Sequence, residues 1–79
     1  MTFSVGQILK FSLLGVENEY IYHKVVSIDP ERPGRSQLVY TEYHYLVDQI
    51  WFKGYCSYGI DSFHDYEIID EVQFNLIRS

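Results

Sequence analysis

The 79-residue sequence predicts one small, mostly β domain that spans residues 1–79. Three observations support this fold class. Segments rich in β-branched and aromatic residues recur along the chain, and in the first of them apolar and polar positions alternate with a period of two. Short runs of turn-forming residues separate these segments. The chain also contains eight Tyr, five Phe and one Trp, and such large rings can fill the core of a small domain.

The first strand is expected over residues 7–13. In this segment Leu9, Phe11 and Leu13 occupy one side and polar residues the other. Gly15 and the acidic residues that follow it predict a turn. Residues 20–29 then predict a long second strand.

Two prolines and a glycine within residues 29–35 exclude a helix or strand there, so this segment is expected to be an exposed loop that carries Arg32 and Arg35. Residues 37–47 predict a third strand with large side chains on both faces. Residues 50–55 predict a fourth strand, in which Gly54 could bend the backbone or form a bulge.

Residues 57–61 are expected to form a loop, followed by one helical turn near residues 61–66 that Asp61 or Ser62 could cap. The segment 68–77 fits either a helix or a strand. Because Phe74, Asn75 and Ile77 are poor helix formers, a strand is favoured.

Five or six short strands in so small a chain leave sheet edges exposed unless the sheet bends and closes on itself. The order of strands, loops and turns therefore favours a partly open, SH3-like barrel of antiparallel strands.

The charge distribution argues against direct binding to nucleic acid. The net charge is −5, and residues 61–79 carry five acids and one base, whereas nucleic-acid binding requires a basic face. No apolar run is long enough to span a membrane. The N-terminus lacks the features of a signal peptide, so a cytoplasmic location is expected.

Nothing in the sequence indicates an enzyme. Cys56 could act as a nucleophile beside His64, but a lone cysteine in a small domain is more often a core residue. His23 and His44 lie within strands and are expected to be structural. The spacing of these residues fits no metal site, and no cofactor motif is present, so neither a metal nor a cofactor is expected.

The concentration of rings is the strongest functional signal. Nine of the fourteen aromatic residues fall within residues 40–66, too many for one small barrel to bury, and five acids follow within residues 61–71. Exposed Tyr and Trp favour protein interfaces, and carboxylates attract cations. The sequence therefore predicts a non-enzymatic protein-binding or adaptor domain whose tyrosine-rich, acidic surface engages a basic protein. The expected contact residues are Tyr43, Tyr45, Trp51, Tyr55, Tyr58, Asp61, Asp65, Tyr66, Glu67, Asp70 and Glu71.

A second hypothesis is that the chain is a small acidic inhibitor, of the kind that phages encode, whose carboxylates mimic nucleic-acid phosphates in an enzyme's groove. Alternate residues of one strand lie about 6.6–6.8 Å apart, so Asp65 and Glu67 could imitate successive phosphates.

A weak homodimer is also expected, because surplus rings and an open strand edge favour association with a second copy.

Overall fold

The computed structural model describes residues 3–13, 19–30, 33–34 and 36–79. Gly15, Arg32 and Arg35, which the sequence assigns to a turn and a basic loop, lie outside these residues. The elements in chain order are β1 (Ile8–Ser12), β2 (Tyr20–Ile28), β3 (Leu38–Val47), β4 (Ile50–Gly59), a 3₁₀ turn (Ile60–Ser62), β5 (Tyr66–Ile69) and α1 (Glu71–Arg78).

The five strands form one antiparallel sheet in the order β4-β3-β2-β1-β5. A bulge between Val25 and Ser27 shifts the register of β2 against β3 and strengthens the local twist. The strands are antiparallel and the sheet is partly open, so the predicted fold class is confirmed, with five strands and one helix.

The predicted limits of the first three strands agree with β1, β2 and β3 to within two residues. The fourth strand was predicted too short. It continues through residues 57–59, the start of the expected loop, because the ten residues of β3 supply partners along its whole length, up to Leu38 opposite Gly59. The helical turn expected near residues 61–66 is shorter and begins earlier, as the 3₁₀ turn Ile60–Ser62, and β5 already begins at Tyr66. Neither Asp61 nor Ser62 caps the turn, since Gly59 holds the N-cap position without a side-chain hydrogen bond.

The preference for a strand over residues 68–77 was wrong. Residues 68–69 complete β5, and α1 begins at Glu71 because Asp70 caps its N-terminus, accepting a hydrogen bond from the Gln73 backbone N–H at 2.7 Å. Phe74 is buried against the sheet. Burial of this ring and the N-cap together outweigh the weak helix propensity of the segment.

Each face of the sheet has its own apolar core. On one face, which we call the open face, Leu9, Val25 and Val39 are fully buried, and Phe3 and Phe63 cover them. The opposite face, which we call the helix-covered face, packs against α1. Its core contains Ile8, Tyr22, Ile69 and Phe74, with Tyr20 and Trp51 at its margin. The two cores explain why β3 has large side chains on both faces.

Candidate docking surface

The β3–β4 hairpin positions the exposed aromatic side chains. Its two turn residues, Asp48 and Gln49, have φ values of 50° and 68°. Positive φ at both positions is the geometry of a type I′ turn, whose twist matches that of the flanking strands. The turn sets a register without interruption, in which Tyr45 lies opposite Phe52 and both side chains project from the open face.

Three rings stack along this face. The ring centroids of Tyr43 and Tyr45 are 6.0 Å apart with an interplanar angle of 25°, and those of Tyr45 and Phe52 are 5.3 Å apart at 17°. Gly54 lies opposite Tyr43 and forms no bulge, because β3 and β4 pair there without a register shift. A Cβ atom at Gly54 would collide with the Tyr43 ring, so the glycine leaves the space in which this ring lies.

The distal half of the hairpin exposes apolar side chains on the same face. Val47, Ile50 and Phe52 keep 44%, 59% and 44% of their surface in contact with solvent. The core described above covers only the other half of the open face. We call this surface the hairpin strip and define it by Tyr43, Tyr45, Val47, Ile50 and Phe52.

His23 lies where the hairpin strip meets the core. Its ring contacts Phe11, Tyr43 and Tyr58, with centroid distances of 5.3, 6.1 and 5.9 Å. Burial lowers its pKa, so the neutral imidazole dominates at pH 7. Its Nδ1 lies 2.8 Å from the Thr41 hydroxyl oxygen.

Cys56 belongs to the same polar group. Its Sγ lies 3.2 Å from Thr41 Oγ1 and 3.9 Å from His23 Nδ1, whereas His64, the partner suggested by the sequence, is exposed at the start of the segment leading to β5. The thiol thus interacts with a buried histidine, and the expectation that His23 has a structural role fits this geometry. Cys56 raises the pKa of the neighbouring Tyr58, and burial adds to the effect.

Charge is segregated between the two faces. The register of the strands places Lys10, Lys24 and Lys53 on the helix-covered face, and Arg78 projects from α1 on that side. These four are all the Lys and Arg residues of the described part of the chain. The open face therefore carries no Lys or Arg among the residues that the structure describes.

Acidic residues lie in the turns and segments that flank β4 and β5. Asp48 lies in the hairpin turn before β4, and Asp61 lies in the 3₁₀ turn after it, where its carboxylate accepts a hydrogen bond from the Ser36 hydroxyl at 3.1 Å. Asp65 is exposed and has a φ of 57°. These acids therefore mark the ends of β4 and the start of β5, and Asp48 also lines a groove on the helix-covered side.

The contact residues predicted from the sequence do not form one surface. Tyr43, Tyr45, Tyr58 and Tyr66 lie on the open face, although Tyr66 is half-buried against Phe3 and its side chain is part of the core margin. Trp51 and Tyr55 project from the helix-covered face.

Three of the predicted acids have local roles on the helix-covered side. Asp70 caps α1, and the Glu71 carboxylate forms an ion pair with the Lys24 ammonium at 3.8 Å. Glu67 lies across from Lys10 in the pairing of β5 with β1. They are separated from the hairpin strip by the thickness of the sheet.

Three residues of the hairpin strip, Val47, Ile50 and Phe52, are missing from the sequence-based prediction. The alternation of side chains in β3 and β4 indicates which residues share a face, but it does not indicate which face is covered and which is exposed. The turn at Asp48 and Gln49 could have supplied the register, yet this pair is not the Asn-Gly or Asp-Gly dipeptide that marks a two-residue hairpin turn.

A groove of about 600 Å³ lies on the helix-covered side. It is lined by Glu19, Tyr20, Tyr22, Leu46, Asp48, Gln49, Trp51 and Ile77. Cations of the chain itself already stack on two of its rings: the Lys10 ammonium lies 4.1 Å from the centroid of Tyr20, and the Arg78 guanidinium lies 5.0 Å from Trp51. This groove is therefore less suited to an external cation than its aromatic and acidic lining suggests.

His44 joins α1 to the sheet. The Arg78 guanidinium, which can only donate, contacts His44 Nδ1 at 3.1 Å, so Nδ1 accepts and the ring proton is on Nε2. This Nε2–H donates to the Glu42 carboxylate at 2.7 Å. Burial lowers the pKa of His44, with a smaller contribution from Arg78.

Glu42 remains ionised in this network. Burial opposes its charged form, but hydrogen bonds from His44 and Tyr55 and the nearby Lys53 ammonium together hold the pKa of its carboxyl group below the ordinary value. The network fixes the end of α1 on the helix-covered face.

Comparisons with known proteins identify no relative: no family model, no curated protein sequence and no solved structure matches this chain. Within the described residues, no helix is long and apolar enough to cross a membrane. Those residues also contain no cluster of three or more His, Cys, Asp or Glu side chains that could hold a metal ion.

Proposed function

We propose that this protein is a non-enzymatic binding domain that engages a basic protein partner through its open face. One observation carries this proposal: the face that exposes the hairpin strip has no Lys or Arg among its described residues. The half-buried single cysteine supports a reducing, cytoplasmic site of action.

The hairpin strip has the composition of an interface centre. Tyr and Phe are enriched at protein interfaces, where their rigid rings bury a large area at a low cost in conformational entropy. Tyr43, Tyr45 and Phe52 are already ordered by stacking on one another. Little side-chain entropy would therefore be lost when a partner covers them.

The charge pattern favours a basic partner. A net charge of −5 attracts cations at long range, and Asp48 and Asp61 lie in the turns at the two ends of β4, the strand that carries Phe52. Complementary charge at the margin of an interface accelerates association and selects partners, while the apolar centre supplies most of the affinity.

Binding to a panel of synthetic peptides tests the proposal. The peptides share the same apolar residues and differ only in net charge, from positive through neutral to negative, and their affinities are measured by biolayer interferometry. We expect the wild type to prefer positive peptides. Phe52→Ala should weaken this binding about tenfold or more, as expected for an aromatic anchor.

The matched control is Leu76→Ala. Leu76 is a 70% exposed apolar side chain on α1, which packs on the helix-covered face and is not part of β4. Its replacement should leave peptide affinity unchanged. Equal losses in the two variants, or affinities independent of peptide charge, would contradict the proposal.

Mimicry of nucleic-acid phosphates remains the alternative function. Asp65 precedes β5, which begins at Tyr66, so Asp65 and Glu67 are not alternate residues of one strand. Salt dependence separates the two functions. Phosphate mimicry predicts binding that disappears at about 0.5 M salt, whereas affinity that rests on buried rings should largely persist there.

A further inference from the structure

β4 is a long edge strand whose outer side has no partner strand among the described residues. It contains ten residues, pairs with β3 without a bulge, has no proline and carries one charged side chain, Lys53. Natural proteins usually protect such an edge with prolines, bulges or several charges. The other edge strand, β5, has only four residues.

Alternate residues of β4 direct their backbone N–H and C=O groups to opposite sides of the strand. The backbone N–H of Ile60, the residue after β4, donates to the Gln37 carbonyl at 2.7 Å, and the two-residue turn makes Val47 and Ile50 a hydrogen-bonded pair. Even-numbered residues of β4 therefore bond to β3. The odd-numbered residues direct their N–H and C=O groups outward: Trp51, Lys53, Tyr55, Ser57 and Gly59.

Charges at the two ends of β4 indicate what can pair with it. Asp48 lies just before the strand and Asp61 just after it. If two copies paired antiparallel about Gly54, Ile50 of one copy would lie opposite Tyr58 of the other, which brings Asp48 of each close to Asp61 of its partner. This like-charge contact occurs twice and opposes self-pairing, whereas basic residues at both ends of another strand would be attracted.

We propose that the basic partner adds an extended segment to the outer edge of β4 as a sixth strand of the sheet. This inference rests on the proposed function and specifies the form of the partner. From Trp51 to Gly59 the edge is about 27 Å long, enough for a segment of about nine residues. Main-chain hydrogen bonds would supply affinity, and alternate side chains would supply specificity.

The sixth strand would extend the hairpin strip. Side chains of the segment alternate between faces, so every second one would lie on the open face beside Phe52 or Tyr58. Basic residues near its ends would lie beside Asp48 and Asp61. The same segment thus uses both the exposed rings and the acids at the two ends of β4.

The first test uses a nine-residue Lys–Val peptide, with Lys at the first two and last two positions and Val at the five between them, together with an otherwise identical peptide whose alternate backbone amides are N-methylated. N-methylation removes hydrogen-bond donors and keeps every side chain and charge. Two N-methylated versions, one for each set of alternate amides, cover both possible registers. We expect the unmodified peptide to bind, and one of the two methylated versions to lose about tenfold or more in affinity.

Amide hydrogen exchange, measured by NMR, locates the contact. On addition of the unmodified peptide, the outward N–H groups of Trp51, Lys53, Tyr55 and Ser57 should exchange about tenfold or more slowly. The N–H groups of Phe52 and Cys56, which already bond to β3, are the internal control and should change little.

A variant on the protein side removes one outward donor. Ser57→Pro deletes the N–H of an exposed edge position without removing a bond to β3, and proline is tolerated at such positions. Affinity for the unmodified peptide should fall about 2- to 12-fold, the equivalent of one hydrogen bond. Ser57→Thr keeps the donor and should bind like the wild type.

The outcomes separate this inference from the proposed function. If basic peptides bind and Phe52→Ala weakens them, but N-methylation and Ser57→Pro have no effect, strand addition is wrong and the proposed function stands. If the Lys–Val peptide does not bind at all, strand addition is also wrong.

Light scattering over a hundredfold concentration range tests the weak homodimer predicted from the sequence. A dimer that protects the outward amides of β4 would overturn the argument that like charges at the ends of β4 oppose self-pairing.

Discussion

Both faces of the sheet carry apolar and aromatic side chains, but the two faces differ in what covers them. On the helix-covered face, Phe74 of α1 packs against Tyr22 and His44, and all four described Lys and Arg residues lie on this side. On the open face, Phe3 and Phe63 cover one half, and the hairpin strip is left exposed. A sheet that is apolar on both faces needs a cover on each, and within the described residues the hairpin strip has none.

The buried histidines show the same difference. His44, under α1, has a charged partner on each ring nitrogen, Glu42 and Arg78. His23, at the margin of the open face, is surrounded by aromatic rings and bonds to a neutral hydroxyl. The covered face is therefore closed by a charged network, and the open face by rings that a partner can extend.

The largest loss of stability should follow from removing the side chain with which α1 packs against the helix-covered face. Phe74→Ala removes the buried ring of α1 and should lower the free energy of unfolding by about 3–5 kcal/mol. Urea denaturation measures this change. The exposed positions Val72 and Leu76 are controls on the same helix, and their replacement by Ala should cost less than about 0.5 kcal/mol.

Because a domain of this size has a total stability of about 4–12 kcal/mol, Phe74→Ala could unfold completely. Phe74→Leu retains most of the apolar volume and should cost about 1.5 kcal/mol or less. Equal stability of Phe74→Ala and the wild type would show that α1 does not close this face.

A side chain at Gly54 tests whether this glycine provides the space for the Tyr43 ring on the open face. Gly54→Ala places a Cβ atom within the Tyr43 ring, so the ring must move and the stacking with Tyr45 must change. We expect a loss of about 1–3 kcal/mol in the free energy of unfolding. The double variant Gly54→Ala/Tyr43→Ala should lose less than the sum of the two single changes, and simple additivity would contradict the contact.

Acidification should lower the free energy of unfolding through the buried histidine on each face of the sheet. Burial lowers the pKa values of His23 and His44 below the ordinary value of 6.5, so below that pH the unfolded chain takes up protons that the folded chain does not. The free energy of unfolding is thus highest above pH 6.5 and falls as the pH drops towards the folded-state pKa values. Each unit by which a folded pKa lies below 6.5 corresponds to about 1.4 kcal/mol.

Urea denaturation at about pH 7.5 and 5.5 measures this loss. Replacing either His23 or His44 with Gln should reduce the difference between the two conditions, and replacing the exposed His64 is the control. If His44→Gln leaves the pH dependence intact, the Glu42–His44–Arg78 network does not titrate as the geometry indicates.

The smallest effect concerns the start of α1. Asp70→Ala removes the side chain that caps the helix and should cost about 1 kcal/mol, whereas Asp70→Asn or Asp70→Ser keeps a capping oxygen and should cost less. Thermal denaturation followed by circular dichroism measures these differences. A cost for Asp70→Ser as large as that for Asp70→Ala would show that the cap does not stabilise the helix.

Local composition determined much of this fold. Alternation of apolar and polar residues predicted β1, and the β-branched and aromatic segments predicted β2 and β3. The number and brevity of the strands predicted a partly open, SH3-like barrel of antiparallel strands, and the structure has five antiparallel strands in one partly open sheet. These features depend on neighbouring residues, which the sequence shows directly. The concentration of rings between residues 40 and 66 likewise indicated that some of them had to be exposed.

Tertiary contacts decided the remaining features. The segment after Asp70 forms a helix because Phe74 finds an apolar site between β2 and β3, and β4 extends to Gly59 because β3 is long enough to pair with it. The sequence also could not show that the acids at 67, 70 and 71 lie on the opposite side of the sheet from Tyr43 and Tyr45. Sequence distance does not specify the face of a sheet, since one residue of register moves a side chain from one face to the other.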